Sequence, residues 1–187
     1  MNRITEILLP NRLLRHYQDV FGVESVRGRI LAIRRNIYTG ELLKIHGINI
    51  VTDAGDKFYA QKAMGETPTI AFNTLGGLRL GTNATTPTKA HTDVGTFLAG
   101  SGHTIKATYP KTADADTDNT GAGVDIASWT YEYLTTEGNG ADIAEGAVVN
   151  SITSPTAALT HFLFAALFTK TAADTLKVIV NHQFNGV

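Results

Sequence analysis

The chain has 187 residues, enough for one β domain with an appended arm. Charged residues make up 18%, against about a quarter in most soluble domains, and the net charge of -1 argues against the chain as a whole binding polyanions. Cysteine is absent, which excludes disulfides and thiolate metal sites.

The N-terminal residues 3–20 are expected to be helical on either side of Pro10, with Leu8, Leu9, Leu13, Leu14 and Tyr17 on one face. Pro10, Arg12 and Arg15 interrupt any signal-peptide core. A hairpin follows. Val26 to Ile33 reads as a strand, Tyr38-Thr39-Gly40-Glu41 as the turn, and Leu42 to Thr52 as the return strand. Asp53 is placed to cap a short helix, with Phe58, Tyr59 and Ala63 on its buried side and Gly65 as its stop.

From Thr67 onward Gly, Thr, Ala and Asn dominate and apolar runs are short. Strands are expected over Thr69–Phe72, Leu75–Leu80, Thr104–Tyr109, Ile126–Leu134, Ala147–Ile152, Leu159–Phe168 and Thr175–Phe184. Trp129, Tyr131 and Tyr133 share one face at period two, as do Leu176, Val178, Val180, His182 and Phe184. Turn-rich stretches separate the strands at 81–92, 111–123 and 137–140. This pattern predicts a mainly β fold, a β-sandwich of jelly-roll type or a β-barrel, with an N-terminal arm containing a short helix and a hairpin. The expected division is a basic arm and hairpin over residues 1–46 and a body over 47–187. No membrane span is visible: the best apolar run, Leu159–Phe168, is about ten residues, where a spanning helix needs roughly 20.

Charge is unevenly placed. Residues 1–45 hold eight Lys/Arg and four Asp/Glu, a net of +4; the rest hold eight basic and thirteen acidic residues, a net of -5. The two parts are complementary, which suits an arm reaching to an acidic neighbouring copy and equally an arm folded on its own body.

Signatures of common enzymes are missing: no nucleophile elbow, Walker loop, H-E-x-x-H or dinucleotide fingerprint occurs. Gly76-Gly77 and Gly121-Ala122-Gly123 read as turns. Glu132, Glu137, Asp142 and Glu145 form no recognisable glycosidase pair. Of the six histidines, His91 with Asp93 makes a His-x-Asp pair that suits a metal or acid–base fragment, although ordinary loop chemistry is the commoner origin. His161 and His182 lie in apolar strands and read as hydrogen-bonded core or interface histidines, with a pH-sensitive contact as the sharper alternative.

Asp114, Asp116, Asp118 and Asp125 form the most specific polar cluster. Oxygen ligands at alternate positions suit a hard cation such as Ca²⁺, but Asn119 stands where a calcium loop has Gly, and Asp125 where it has Glu. A solvated acidic turn is the preferred reading. Arg27, Arg29, Arg34 and Arg35 near Tyr38 make a small basic patch, too sparse for a strong phosphate binder, so nucleic acid is not an expected partner.

Several segments resemble structural proteins of tailed bacteriophages, of the kind encoded near the major capsid protein. They are Asn49-Ile50-Val51-Thr52-Asp53-Ala54-Gly55-Asp56 with Phe58-Tyr59-Ala60-Gln61, then Leu78-Arg79-Leu80-Gly81-Thr82 with Pro87-Thr88-Lys89. Tyr109-Pro110-Lys111-Thr112, Asp118-Asn119-Thr120-Gly121, the run Phe168 to Leu176 and the closing Asn181-His182-Gln183-Phe184-Asn185-Gly186 complete the set, over roughly residues 47–187. The resemblance implies a non-enzymatic virion component without cofactors. Within that class it suggests a capsid cement, or decoration, protein on the phage head. Such a protein clamps neighbouring major capsid subunits, typically as a homotrimer. A minor tail, tail-fibre or receptor-binding module is the alternative. On the cement reading Arg12, Arg15, Arg27, Arg29, Arg34 and Arg35 are the expected polar anchors, and Leu8, Leu9, Leu13 and Leu14 the apolar part. The same leucines could instead pack on the chain's own body.

Overall fold

In the computed structural model, the described residues are 4–7, 26–72, 75–112 and 126–184, with the backbone alone for 4–7, 26 and 27. The strands are β1 (Ile4–Ile7), β2 (Val26–Asn36), β3 (Leu42–Val51), β4 (Gly77–Gly81), β5 (His103–Thr104), β6 (Ile126–Tyr133), β7 (Gly140–Val149), β8 (Ala158–Lys170) and β9 (Asp174–Phe184). One helix, α1 (Asp53–Ala63), follows β3. The fold is mainly β, as expected. The strands form one sheet in the order β5-β4-β7-β8-β3-β2-β9-β6, antiparallel throughout, and β1 lies parallel to the first half of β3.

The sheet curls until it is nearly a closed barrel. The chain leaving β5 runs along the opposite edge strand: Lys106 N–H donates to Thr130 C=O at 2.8 Å, and Lys111 and Ser128 exchange backbone bonds of 3.0 and 2.8 Å. Both edges of the sheet therefore meet the same segment.

The period-two rows read from the sequence meet inside. Trp129 lies opposite Val180, Tyr131 opposite Val178, and Tyr133 opposite Leu176. All six side chains are essentially inaccessible and belong to one core with Ile30, Ile45, Leu78, Leu80 and Phe162. Phe164 contacts Phe162 and Phe168 edge-on at 5.3 and 5.1 Å. The barrel is thus filled by its own side chains.

The β2–β3 turn forms because the Asn36 carboxamide oxygen accepts from Tyr38 and Thr39 N–H, each at 3.0 Å, and Gly40 supplies a positive φ of 70°. The division expected at residue 46 falls inside β3, and β2 and β3 are interior strands of the common sheet. Helix α1 is capped by Thr52, not Asp53: the Thr52 hydroxyl accepts from Gly55 N–H at 3.1 Å, while Asp53 and Asp56 occupy the first turn. Gly65 follows the helix at φ +75°, in its expected role as a stop.

Other expectations are corrected. Residues 4–7 are strand, not helix; the remainder of the helical expectation, through residue 20, lies outside the described residues. Thr69–Phe72 is irregular, and of Thr104–Tyr109 only the start is strand. Strand β7 begins at Gly140, before the expected Ala147. Its first half lacks alternation for a physical reason: its pairing with β8 shifts register between Ile143 and Glu145. Ile143 packs in the barrel core, whereas Glu145, two residues on, turns to the outer face, as a bulge re-aims a side chain. Among the described residues no helix is long and apolar enough to cross a membrane.

Candidate functional site: a charged clasp beneath a surface strap

Residues 82–97 form a strap over the outer face of β4, β7 and β8. Its ends are tied by Thr82 N–H donating to Thr96 C=O at 3.0 Å, and Gly81 bridges to Phe97. A small apolar cluster lies there, Val94 of the strap with Ala147, Val149 and Ala158 of the wall.

Around that cluster the strap is held by charge. Glu145 is fully buried. Its Oε1 accepts from Asn83 and Thr96 N–H at 3.2 and 3.1 Å, and its Oε2 from Gly95 N–H at 3.1 Å. Oε2 also lies 2.6 Å from His161 Nε2, and His161 is itself buried. Beyond it, Nδ1 of His161 lies 2.7 Å from Nδ1 of His91, a half-buried residue of the strap. Burial pushes the Glu145 carboxyl up, but the His161 bond and the backbone donors outweigh it, leaving that carboxyl below its usual value. Burial, reinforced by His161, holds His91 below the ordinary histidine value. Gly81 makes room for this carboxylate, since a Cβ there would lie 2.5 Å from Glu145 Oε1.

Beside this array Arg79 of β4 sits 3.0 Å from Asp93 of the strap. Its guanidinium stacks 3.5 Å from the Phe97 ring centroid and donates to Ile152 C=O at 2.9 Å. Burial raises the Asp93 carboxyl above its usual value. A shallow depression of ≈ 230 Å³ is lined by Ala90, His91, Thr92, Asp93, Val94 and Gly95. The His-x-Asp pair is therefore divided: His91 faces His161, and Asp93 faces Arg79. Among the described residues no group of three or more His, Cys, Asp or Glu is placed to hold a metal ion.

A second polar network lies inside the barrel. His182 is fully buried, with Nε2 2.7 Å from Asn49 Nδ2 and Nδ1 2.5 Å from Tyr59 Oη. Asn49 Nδ2 also donates to Thr160 Oγ1 at 2.7 Å, and Trp129 Nε1 donates to Tyr59 Oη at 3.1 Å. Because Asn49 donates to Nε2, the histidine hydrogen belongs on Nδ1, pointing at Tyr59. Burial lowers the His182 pKa to about 3, so the ring is neutral. This network pins α1 to one end of the barrel and reads as structure.

The opposite end carries the hairpin. Tyr38 is 80% exposed, Leu134 63% and Ile37 48%. Beside them a groove of ≈ 560 Å³ is lined by Ile33, Leu42, Leu134 and Leu176 with Arg35, Lys44 and Lys177. Glu132 also lines it, 3.0 Å from Lys106 and 3.7 Å from Lys177.

The sequence-derived anchors separate here. Arg29 and Arg35 are exposed. Arg34 instead donates to Thr169 C=O at 2.7 Å and lies 4.0 Å from Asp174, engaged within its own chain. The side chain of Arg27, all of Leu8, Leu9, Arg12, Leu13, Leu14 and Arg15, and the aspartates Asp114, Asp116, Asp118 and Asp125 lie outside the described residues. Three of the four carboxylates considered for hydrolysis have separate partners: Glu132 the two lysines, Glu137 His103 at 3.2 Å, and Glu145 His161. Sequence reasoning missed Arg79 and the role of Glu145. Their only local signal is a charge within an otherwise apolar or small-residue strand.

Comparison with family models, curated proteins and solved structures gives no match.

Proposed function

We propose that this chain is a non-enzymatic structural subunit of a tailed-phage virion, a cement protein that docks on neighbouring major capsid subunits at the head surface. The observation that carries the reading is the hairpin end of the barrel. Ile37, Tyr38 and Leu134 stand exposed there beside a groove that joins aliphatic walls to Arg35, Lys44 and Lys177. Tyrosine and arginine are among the residue types that dominate binding energy at protein interfaces, and the exposed aliphatics beside them add apolar area. Arg35, exposed on the rim, favours an acidic segment of the capsid subunit as the contact. The resemblance over residues 47–187 supplies the virion context. The basic N-terminal residues Arg12 and Arg15, with Leu8, Leu9, Leu13 and Leu14, are proposed to extend the contact, and a homotrimer would multiply it by avidity.

The test is co-sedimentation of the purified protein with phage heads that lack it. Wild-type protein should pellet with the heads in saturable fashion, and Tyr38→Asp or Arg35→Glu should weaken that binding at least tenfold. Failure of wild-type protein to bind heads would overturn the reading, and binding to isolated tails or host surface glycan would favour a tail module instead.

A further inference from the structure

We propose that the chain cross-links itself: Lys170 Nζ attacks the side-chain amide of Asn139 and displaces its ammonia, leaving an isopeptide bond between the end of β8 and the turn before β7. Lys170 closes β8 and is only 1% exposed, a lysine among the largest fully buried side chains. Its Nζ donates to Leu134 C=O and to Asn139 Oδ1, each at 2.8 Å. Both acceptors are neutral. The carboxylates of this region are engaged elsewhere. Glu137 accepts from Leu134 N–H at 2.7 Å and lies 3.2 Å from His103 Nε2, and Asp174 accepts from the Thr171 N–H and hydroxyl at 2.9 and 2.8 Å. A buried ammonium with no carboxylate in contact is costly, which favours the neutral amine. Burial lowers the Lys170 pKa, against the opposing pull of Asp174 and Glu137. A desolvated lysine amine is a nucleophile.

Backbone register supplies the electrophile. Lys170 pairs with Gly140 across β7 and β8, and Asn139 is the residue before Gly140. The turn that carries Asn139 is tied down, since Gly138 N–H donates to Gly100 C=O at 3.2 Å. Both ends of the carboxamide are held as well: Oδ1 accepts from Nζ, and Nδ2 donates to Thr135 C=O at 2.9 Å. The carbonyl carbon is one bond beyond the atom that Nζ already touches. Holding an amine and an amide together in this way replaces a bimolecular encounter by an intramolecular step, the largest help such a reaction can be given. Asn139 itself is exposed, so the released ammonia has a direct path to solvent.

The step balances without a co-reactant. The Cγ–Nζ bond forms and the Cγ–Nδ2 bond breaks. One hydrogen of the neutral amine passes to Nδ2, which leaves as ammonia, and the other stays on the new secondary amide. Nothing is oxidised or reduced. Each chain reacts once, so the step is a maturation and not a turnover. Its product fastens the turn between β6 and β7, which carries the exposed Leu134, to the strand beside it.

Mass spectrometry of the purified full chain, aged in its folded state, tests this. The intact protein should be lighter than its sequence by one ammonia. Cleavage after glutamate separates residues 138–145 from residues 146 onward, so the two peptides should be recovered joined, with tandem spectra placing the bond between Asn139 and Lys170. Lys170→Arg keeps a hydrogen-bonding cation but offers no amine, and Asn139→Ala removes the amide from an exposed turn. Neither variant should yield the joined peptides, and the second keeps the test open where the first does not fold. The proposal is overturned if the aged wild-type protein keeps its full sequence mass. It is equally overturned if the lost ammonia is traced to peptide 138–145 alone, which would mean that Asn139 has cyclised onto Gly140 instead.

Discussion

Glu145 and His161 meet at 2.6 Å on the outside of the barrel, yet each side chain is only 1% exposed. They are buried because the strap lies over them, and the strap lies there because the carboxylate gathers three of its backbone N–H groups. Glu145→Gln keeps the shape but turns an amide donor toward existing donors. Leaving buried N–H donors without their acceptor costs about 1–3 kcal/mol, and more where the lost acceptor was charged. The variant should melt several degrees lower, at about 2–4 °C per kcal/mol for a chain of this size, and its strap should exchange hydrogen faster at pH 7.5. An unchanged melting temperature would mean the carboxylate is not an anchor.

His182 sets a different acid response. Its pKa is depressed by burial, from 6.5 to about 3. A proton therefore binds the unfolded chain more readily than the folded one. The stability this group contributes is complete above about pH 6.5 and is lost progressively as pH falls toward about 3. Glu145, also depressed, acts in the same direction from its ordinary 4.5 downward. Denaturant unfolding at pH 7, 5.5 and 4 should show falling stability, and His182→Gln should flatten the upper part of that decline. Equal pH profiles for the two proteins would contradict the assignment.

Gly28 and Asn49 form a tight fit inside the barrel. A Cβ on residue 28 would lie 1.1 Å from Asn49 Oδ1, so the carboxamide that serves His182 occupies the space of the missing side chain. Gly28→Ala should destabilise the fold by about 1–3 kcal/mol, the usual cost of overpacking a filled core. Chemical denaturation of the two proteins side by side gives the difference directly, and no change would show that Asn49 can move without consequence.

The hairpin end should behave oppositely. Tyr38→Asp and Arg35→Glu alter exposed side chains, so unfolding free energy should stay within about 0.5 kcal/mol of wild type. Binding to heads should nonetheless fall. A variant that loses binding together with stability would point to a folding role for these residues.

Much of this architecture was legible as sequence. The alternating rows of β6 and β9 announced a β wall, and Tyr38 to Glu41 announced the hairpin turn, though not the Asn36 side chain that holds it. The candidate site was less so, because its pieces are far apart. Arg79, His91, Glu145 and His161 belong to four different elements and meet only when the strap folds over the wall. The register shift in β7 concealed Glu145 further, since simple alternation puts it on the same face as Ile143. Thr52 was hidden as a cap because it reads as the last residue of a strand.

The proposed role of this chain as a coat on the phage head is tested most directly by copy number per purified virion. Quantitative mass spectrometry against the major capsid protein should find hundreds of copies per particle, in a fixed ratio to capsid subunits. A handful of copies, or none, would contradict the claim.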